Sequence, residues 1–274
     1  MKEVLQEEIR NFVTASPDNR FAGSDHPYFE EPLVGFAAAD DPLFSDFKHI
    51  IGEFHLTPGE VLHEACGCSV EEARTVICWI LPIAEATRKS NRKAQKVPSR
   101  EWSMTRSHGE HFNTLLRIHL SNLIRSIGAK AVAPLVAGLW RPVKDPRVGM
   151  ASTWSERHVA YVAGLGTFSL NDGFITEKGI AHRCGSLVTD LVIPASPRTC
   201  VDPWNNCLYH RDGSCGLCIR RCPVGAISLQ GHDKEKCQAY VYGELRETAG
   251  QLYGVMETGC GLCQTKVPCE TRVP

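Results

Sequence analysis

The segment Cys215-Gly216-Leu217-Cys218-Ile219-Arg220-Arg221-Cys222-Pro223 decides how the C-terminal part of this chain is built. Its spacing reproduces most of the run C-x2-C-x2-C-x3-C-P, whose cysteine thiolates hold [4Fe–4S] clusters. The fourth cysteine of that run, here Cys222, normally binds a different cluster from the others. The motif therefore predicts two clusters and a second set of cysteines farther along the chain.

Cysteines outside this run complete the predicted ligand set. The first position of the run falls on Asp212, so Cys207 is the nearest replacement and Cys200 is the alternative to it. Downstream ligands are available at Cys237, Cys260, Cys263 and Cys269. We predict that one cluster is held by Cys207, Cys215, Cys218 and Cys269, and the other by Cys222, Cys237, Cys260 and Cys263.

Other uses of the cysteines stay open at this point. Two C-x2-C pairs also describe a structural zinc ribbon, although four zinc ligands leave the remaining cysteines of the array unexplained. Cys78 lies in an apolar stretch and is predicted to be a small buried side chain, as is Cys184. The pair in Cys66-Gly67-Cys68 has either a structural role or a redox or ligand role.

Composition limits the classes of protein to be considered. The chain has 274 residues, 13 of them Cys, and a formal net charge of −1. That charge gives no global basic field, so we predict no nucleic-acid partner. The apolar stretches 75–83 and 129–140 fall short of the roughly 20 residues that span a bilayer, and no export signal is visible. We therefore predict a cytoplasmic protein whose cysteines are not paired in disulfides.

Apolar periodicity predicts an α+β fold with two domains. Helical spacing is found over 1–14 and 110–127, and buried strands are predicted over 33–39, 75–82 and 186–193. Pro194, Pro197 and Pro203 mark a junction to the cysteine-rich part. We predict an α/β domain over 1–194 that binds a cofactor or substrate, followed by a ferredoxin-like two-cluster domain over 195–274.

Two segments upstream of the clusters extend the pattern. They are Ala163-Gly164-Leu165-Gly166 and Gly185-Ser186-Leu187-Val188-Thr189-Asp190-Leu191, and the acidic Glu156 precedes the first of them. Together with the cysteine order, these segments resemble the epoxyqueuosine reductase and reductive dehalogenase superfamily. The resemblance extends, more weakly, over most of the chain.

The resemblance implies a nitroreductase-like N-terminal domain that binds a corrinoid above the first cluster. Electrons would pass from the second cluster through the first to cobalt, and an external protein such as a ferredoxin or flavodoxin would supply them. Gly164, Leu165 and Gly166 would belong to the cofactor site. A flavin is the second possibility for the cofactor.

The chain departs from the family at two positions. Met150 stands where epoxyqueuosine reductases have a proton-donating Asp, and Ser169-Leu170 replaces the usual Gly-Lys or Gly-Arg pair. We therefore predict an iron–sulfur oxidoreductase that acts on a small molecule other than epoxyqueuosine.

No catalytic residue stands out in the sequence. His108, His111 and His158 are candidate proton donors, since histidine exchanges protons near neutral pH. The alternative function is a noncatalytic, ferredoxin-like electron carrier, which needs no large N-terminal domain.

Overall fold

The computed structural model describes residues 1–274, which form eleven α-helices and ten β-strands. The helices are α1 (Lys2–Ala15), α2 (Pro42–Ile50), α3 (Pro58–Cys66), α4 (Glu85–Lys93), α5 (Arg100–Met104), α6 (Glu110–Ser126), α7 (Glu156–Val162), α8 (Leu208–Asp212), α9 (Leu217–Arg221), α10 (Lys234–Gln238) and α11 (Gln251–Tyr253). The strands are β1 (Leu33–Ala38), β2 (Thr75–Pro82), β3 (Ala131–Val132), β4 (Pro142–Asp145), β5 (Gly149–Ser152), β6 (Gly166–Phe168), β7 (Phe174–Thr176), β8 (His182–Thr189), β9 (Ile227–Ser228) and β10 (Gly231–His232).

Short 3-10 and π segments join several of these elements. The 3-10 turns are Pro17–Asn19, Val70–Glu72 and Leu262–Gln264. The π turns are Thr105–Gly109, Ala239–Glu244 and Arg246–Gly250. Because Thr105–Gly109 joins α5 to α6, the helix predicted to begin at Glu110 is the second half of a longer helical rod. No helix has both the length and the apolar character needed to cross a membrane.

One antiparallel sheet, in the order β1-β2-β8-β3, organises the N-terminal part. Every residue of β2 is buried, because β1 and β8 flank it and helices cover both faces of the sheet. A strand enclosed on both faces is apolar along its whole length, which is why β2 was predicted with its observed bounds.

Two helical layers enclose this sheet. The alternate residues of β2 point to opposite faces, with Trp79 on one and Cys78 on the other. Helices α1 and α6 pack on the face of Trp79, and α2, α3 and α7 pack on the face of Cys78. The predicted mixture of helices and strands is confirmed, while the finer nitroreductase-like and ferredoxin-like arrangement stays a prediction.

The last predicted strand is shifted in the structure. We predicted 186–193, whereas β8 is His182–Thr189. The chain leaves the sheet after Thr189 because Thr75 Oγ1 donates a hydrogen bond to the carbonyl of Leu191 and accepts one from the amide of Ile193. Ile193 still reaches the core, so its apolar character indicated burial and not strand pairing.

A buried ion network joins the sheet to α6 and α7. The Arg117 side chain is only 1% exposed and pairs with Glu110 at 2.9 Å and Glu156 at 3.3 Å. Glu110 also pairs with Arg183 of β8 at 2.6 Å, and Ser186 donates a hydrogen bond to Glu156. Burial raises the pKa of Glu156. For Glu110, burial is outweighed by Arg183 and Arg117, which lower its pKa to about 2.

The cysteine-rich part packs against the sheet domain without a break. Asn171 donates a hydrogen bond to the Cys263 carbonyl at 3.0 Å, and the amide of Ile180 donates one to the Cys269 carbonyl at 2.8 Å. The β6–β7 hairpin, which we placed in the first domain, shares a hydrophobic cluster with Cys207, Ile227 and Val267. Residue 194 therefore marks the point where the chain becomes rich in cysteine. That it is also a boundary between two domains stays a prediction.

Replacing Arg117 by Met is expected to lower the free energy of unfolding by about 3–5 kcal/mol, because two carboxylates would lose their buried cation. Chemical denaturation measures this change. The matched control is Arg10→Met, which removes a cation from the exposed pairs with Glu7 and Glu31 and should have little effect. Equal destabilisation by the two variants would contradict the role assigned to Arg117.

Replacing Glu110 by Gln is expected to remove an acid-sensitive contribution to stability. A carboxylate with a lowered pKa stabilises the folded state above its unfolded pKa of about 4.3, and that contribution fades as the pH falls toward its folded pKa. The folded pKa of Glu110 is about 2. The stability difference between the wild type and Glu110→Gln should therefore be full at pH 6 and shrink steadily below pH 5. Denaturant midpoints from pH 3 to 7 test this, and a difference that does not change with pH would contradict it.

Candidate functional site

Four cysteines line one pocket in the C-terminal part of the chain. They are Cys207 at the start of α8, Cys215 and Cys218 at the start of α9, and Cys269 near the C-terminus. Burial, with the neighbouring Cys207 and Cys215, raises the pKa of Cys218 to about 11. Burial, with Cys207 and Cys218, raises that of Cys269 to about 12. These are the four cysteines that the spacing assigned to the first cluster.

The other four predicted ligands lie together in a second group. Burial raises the pKa of Cys260 to about 12, and the charges of Cys237 and Cys222 add to the effect. The pKa of Cys263 is also raised by burial, then by Cys260 and Cys237. Cys222 and Cys263 pack on the same hydrophobic cluster as Cys207, Cys218 and Cys269, so the two groups are neighbours.

The donor set of each group fits an iron–sulfur cluster. Soft thiolates are the preferred ligands of such clusters, and backbone N–H groups usually bond their sulfurs. The Ala226 amide donates a hydrogen bond to Cys222 Sγ at 3.2 Å. Burial disfavours the thiolate form of Cys218, Cys269, Cys260 and Cys263, and bound iron would compensate the negative charge of the thiolates.

A single metal ion such as zinc needs several ligand atoms that converge on one point. No three His, Cys, Asp or Glu side chains converge closely enough to hold one ion. In a cubane each thiolate binds its own iron atom, so four thiols stand around a space that holds a whole cluster.

The remaining cysteines lie outside both groups. Cys200 does not line the first pocket; its sulfur accepts a hydrogen bond from Asn205 Nδ2 at 3.5 Å, so the geometry favours Cys207 over Cys200. Cys78 is buried in β2, and Cys184 is partly buried in β8, where burial raises its pKa to about 12. The exposed Cys66 and partly buried Cys68 lie at the end of α3.

A cleft of about 590 Å³ adjoins the first cysteine pocket. The turn between β4 and β5 forms one wall with Val148 and Gly149, and residues 229–235 form another. Ser169 and Leu170 line both the cleft and the cysteine pocket. A ligand in the cleft would therefore be separated from the first cysteine group by the pair that replaces the family's Gly-Lys or Gly-Arg.

Charged groups meet at one end of this cleft. Asp172 lies 3.2 Å from His232 Nδ1 and 3.9 Å from Lys234 Nζ. Burial opposes ionisation of Asp172, but the hydrogen bond with His232 and the charge of Lys234 lower its pKa. Burial alone would lower the pKa of His232, whereas its bonds to Asp172 and Cys237 raise it to about 9. The cleft thus offers an anionic and a cationic group side by side.

Sequence reasoning missed these three residues. Asp172 belongs to the Asn-Asp-Gly turn of the β6–β7 hairpin and has φ of 56°, a left-handed conformation that Asp tolerates better than most residues. That turn was the only available signal. Nothing in the local sequence indicates that His232 and Lys234, some sixty residues later, lie beside it.

The glycine loop is packed against the protein's own backbone. A Cβ on Gly164 would lie 2.4 Å from the Pro197 carbonyl oxygen, and one on Gly166 would lie 2.2 Å from that of Ile175. Leu165 packs against Gly35 of β1. Neighbouring backbone fills the place where a side chain on either glycine would stand, so close packing of the chain is by itself a reason for glycine there. A cofactor contact at Gly164, Leu165 and Gly166 stays a prediction.

The three candidate histidines lie in different surroundings. His108 and His111 are exposed, on the π turn and on α6, and neither lines the cleft. His158 accepts or donates a hydrogen bond with Ser155 Oγ at 2.7 Å and packs on Phe47 and Phe168. Burial lowers its pKa to about 3, so His158 is neutral near pH 7. None of the three is an obvious cationic acid for a ligand in the cleft.

Sequence comparison finds relatives for part of the chain, although no family model matches it. An epoxyqueuosine reductase from Bacillus anthracis is 32% identical over 119 residues, which are 42% of this chain and 29% of that protein. One from Leadbetterella byssophila is 29% identical over 124 residues, or 43% and 36% of the two chains. The match therefore spans about a third of the length of each curated relative.

Structural comparison extends over the whole chain. Epoxyqueuosine reductase from Streptococcus thermophilus has a TM-score of 0.51 at 17% identity, covering 100% of this chain and 68% of that one. The Bacillus subtilis enzyme has a TM-score of 0.50 at 17% identity, with 98% and 66% covered. The catabolic reductive dehalogenase NpRdhA, in complex with 3-bromo-4-hydroxybenzoic acid, has a TM-score of 0.51 at 14% identity. The match covers 99% of this chain and 36% of that one.

At these identities the structural likeness establishes the fold, while the sequence match identifies the relatives. Both point to the same group of proteins. The resemblance to the epoxyqueuosine reductase and reductive dehalogenase superfamily, predicted from the cysteine order and the segments around Gly164 and Thr189, is confirmed.

Proposed function

We propose that this chain is an iron–sulfur oxidoreductase that carries electrons through two [4Fe–4S] clusters to a cofactor or substrate in the cleft. One observation carries the proposal: Ser169 and Leu170 form a shared wall between the first cysteine pocket and the cleft. A cluster in that pocket would lie next to whatever the cleft binds. The related oxidoreductases support the same class of activity.

The arrangement of the cysteines suggests the order of electron transfer. The second group neighbours the first through Cys263 and Cys218, and the first group's pocket shares two residues with the cleft. Electrons entering at the second cluster would pass to the first and then to the cleft. The β6–β7 hairpin would help to hold the two clusters at a constant separation, since Asn171 bonds the Cys263 carbonyl and Leu170 packs with Cys207.

A cofactor in the cleft would extend what the clusters can do. Clusters deliver single electrons, so reduction of an organic bond usually needs a second redox group that performs the bond chemistry. The resemblance suggests a corrinoid, with a flavin second. The cleft is the open space that adjoins the first cysteine pocket, so we assign such a cofactor to it, with Trp204 and Leu229 as apolar contacts and Lys234 as a charged one.

A noncatalytic electron carrier is the second candidate. It is favoured by Met150, which lies on β5 beside the cleft residue Gly149 and has a thioether without an exchangeable proton where epoxyqueuosine reductases have an acid. If the protein is an enzyme, its proton source lies elsewhere and its small-molecule substrate differs from epoxyqueuosine. The cleft itself favours the enzyme, since a carrier has no need of one.

The ligand partition can be tested by single cysteine substitutions. Anaerobically prepared wild type is expected to hold about eight iron and eight sulfide, as two cubanes require. Cys215→Ser should perturb one paramagnetic signal of the reduced protein and Cys222→Ser the other, measured by EPR with iron analysis. Cys200→Ser is the matched control and should leave both signals unchanged. Stoichiometric zinc with negligible iron, or the same signal lost in both variants, would contradict the assignment.

The cofactor site can be tested by filling the cleft. Leu229 is 61% exposed and lines the cleft, so Leu229→Trp adds bulk there with little cost to the core. We expect this variant to bind cobalamin or flavin mononucleotide at least tenfold more weakly than the wild type in anaerobic equilibrium titrations. Ile50→Trp is the control, since Ile50 is 55% exposed on α2 outside the cleft. If neither cofactor binds the wild type at micromolar concentration, the electron-carrier function is favoured.

A further inference from the structure

The connection between α4 and α5 packs against the segments that carry the second cysteine group. We call residues 93–100, from the last residue of α4 to the first of α5, the basic loop. Its backbone is tied to the elements that carry the cysteines: Tyr240 donates a hydrogen bond to the Lys96 carbonyl at 2.6 Å, and Tyr253 donates one to the Pro98 carbonyl at 3.2 Å. Arg221, next to Cys222, donates one to the Ala94 carbonyl at 2.8 Å. The loop is therefore a fixed part of the protein surface beside these segments.

The start of the loop is joined to the same group. Asn91, in the last turn of α4, donates a hydrogen bond to the Cys260 carbonyl at 3.4 Å and another to Thr265 Oγ1 at 3.2 Å. Trp102, just past the loop, lies against Gly261, where a Cβ would meet its indole ring. The segments on both sides of the basic loop thus contact the stretch between Cys260 and Cys263.

Positive charge is concentrated on this loop. The stretch 88–100 contains six Lys and Arg residues and no acid, in a chain whose net charge is −1. The first three pair with carboxylates, as in Arg92–Glu270 at 2.8 Å. The last three are exposed and form no ion pair: Lys93, Lys96 and Arg100. Exposed Arg220 on α9 adds a fourth unpaired cation nearby.

Apolar side chains are exposed among these charges. Val97, at the centre of the loop, is 41% exposed. Leu252 on α11 is 75% exposed and Met256 is 68% exposed, and α11 packs on α5 next to the loop. The exposed acids Glu244 and Glu247 lie on the two π turns Ala239–Glu244 and Arg246–Gly250, the first of which contains Tyr240. Apolar residues within a charged rim are typical of a protein-binding surface.

We propose that the basic loop is the docking surface for an acidic one-electron carrier protein, which reduces the second cluster. The proposal rests on the function assigned above and adds the site of electron entry. The loop and the last turn of α4 before it are bonded to the segments that carry Cys222 and Cys260, so a reductant protein bound there would approach the second cluster closely. Complementary charge raises the rate of such encounters and makes it sensitive to salt.

The balance of the transfer is simple. One electron leaves the reduced carrier, which is oxidised, and enters the second cluster, which is reduced; no bond forms or breaks. Small, transient electron-transfer contacts bury little area and depend on charge for their orientation. A loop with three free cations around one exposed valine meets that requirement.

A charge-reversal experiment tests the proposal with a reduced acidic [2Fe–2S] ferredoxin as the probe. Stopped-flow absorbance would follow reduction of the clusters in the wild type, in Lys93→Glu/Lys96→Glu, and in Arg74→Glu/Arg141→Glu. The control pair is exposed, lies outside the loop and makes the same change in net charge. We expect the loop variant to be reduced at least tenfold more slowly than the wild type and the control variant at the wild-type rate. High salt should slow the wild type toward the loop variant.

Reduction by dithionite separates the two levels of the proposal. It should proceed at the same rate in all three proteins, since a small reductant needs no docking surface. If ferredoxin reduces the loop variant at the wild-type rate, the docking proposal is overturned, while the proposal of two clusters is unaffected. Failure of dithionite to reduce any cluster in the wild type would overturn the proposed function instead. A loop variant that loses affinity for a transfer RNA probe but keeps its ferredoxin rate would overturn the docking proposal in favour of a nucleic-acid surface.

Discussion

The buried guanidinium of Arg117 is the constraint on which the sheet domain depends. A cation removed from water must be paired, and Arg117 finds Glu110 on its own helix and Glu156 on α7. Glu110 in turn holds Arg183 on β8. Helix α6, helix α7 and the sheet are therefore fixed to one another by polar contacts with defined geometry, in addition to apolar packing that tolerates small shifts.

The β6–β7 hairpin and the segment after it connect the two parts of the chain. Asn171 of the hairpin bonds the Cys263 carbonyl, and Leu170 and Ile175 pack with Cys207, so the hairpin contacts a member of each cysteine group. The amide of Ile180, between β7 and β8, bonds the Cys269 carbonyl. This explains why the two parts, which differ sharply in composition, do not separate in the packing. It also places Ser169 and Leu170 between the first pocket and the cleft.

Electrostatics connects the cysteine groups to the surfaces around them. Burial, and after it the charge of neighbouring thiols, raises the pKa of Cys218 and Cys260, and this favours a bound group that supplies positive charge. On one side of the groups lies the cleft with Asp172, His232 and Lys234, and on another lies the basic loop. These positions are the basis of the proposed path for electrons from the basic loop to the cleft.

The sequence by itself determined the features that depend on local spacing. The cysteine intervals predicted two sets of ligands, and the four cysteines of the first set line one pocket, while their binding of clusters stays a prediction. Apolar periodicity placed β2 and α6, because burial on one face or two leaves a direct pattern in the residues. Only the tertiary structure decided the rest. Asp172 meets His232 through a turn and a distant hairpin, Gly164 makes room for the Pro197 carbonyl, and Cys207 lines the pocket that Cys200 does not reach. Such contacts join segments that are far apart in the chain. They arise from the packing of helices and strands against one another, so no local sequence pattern predicts them.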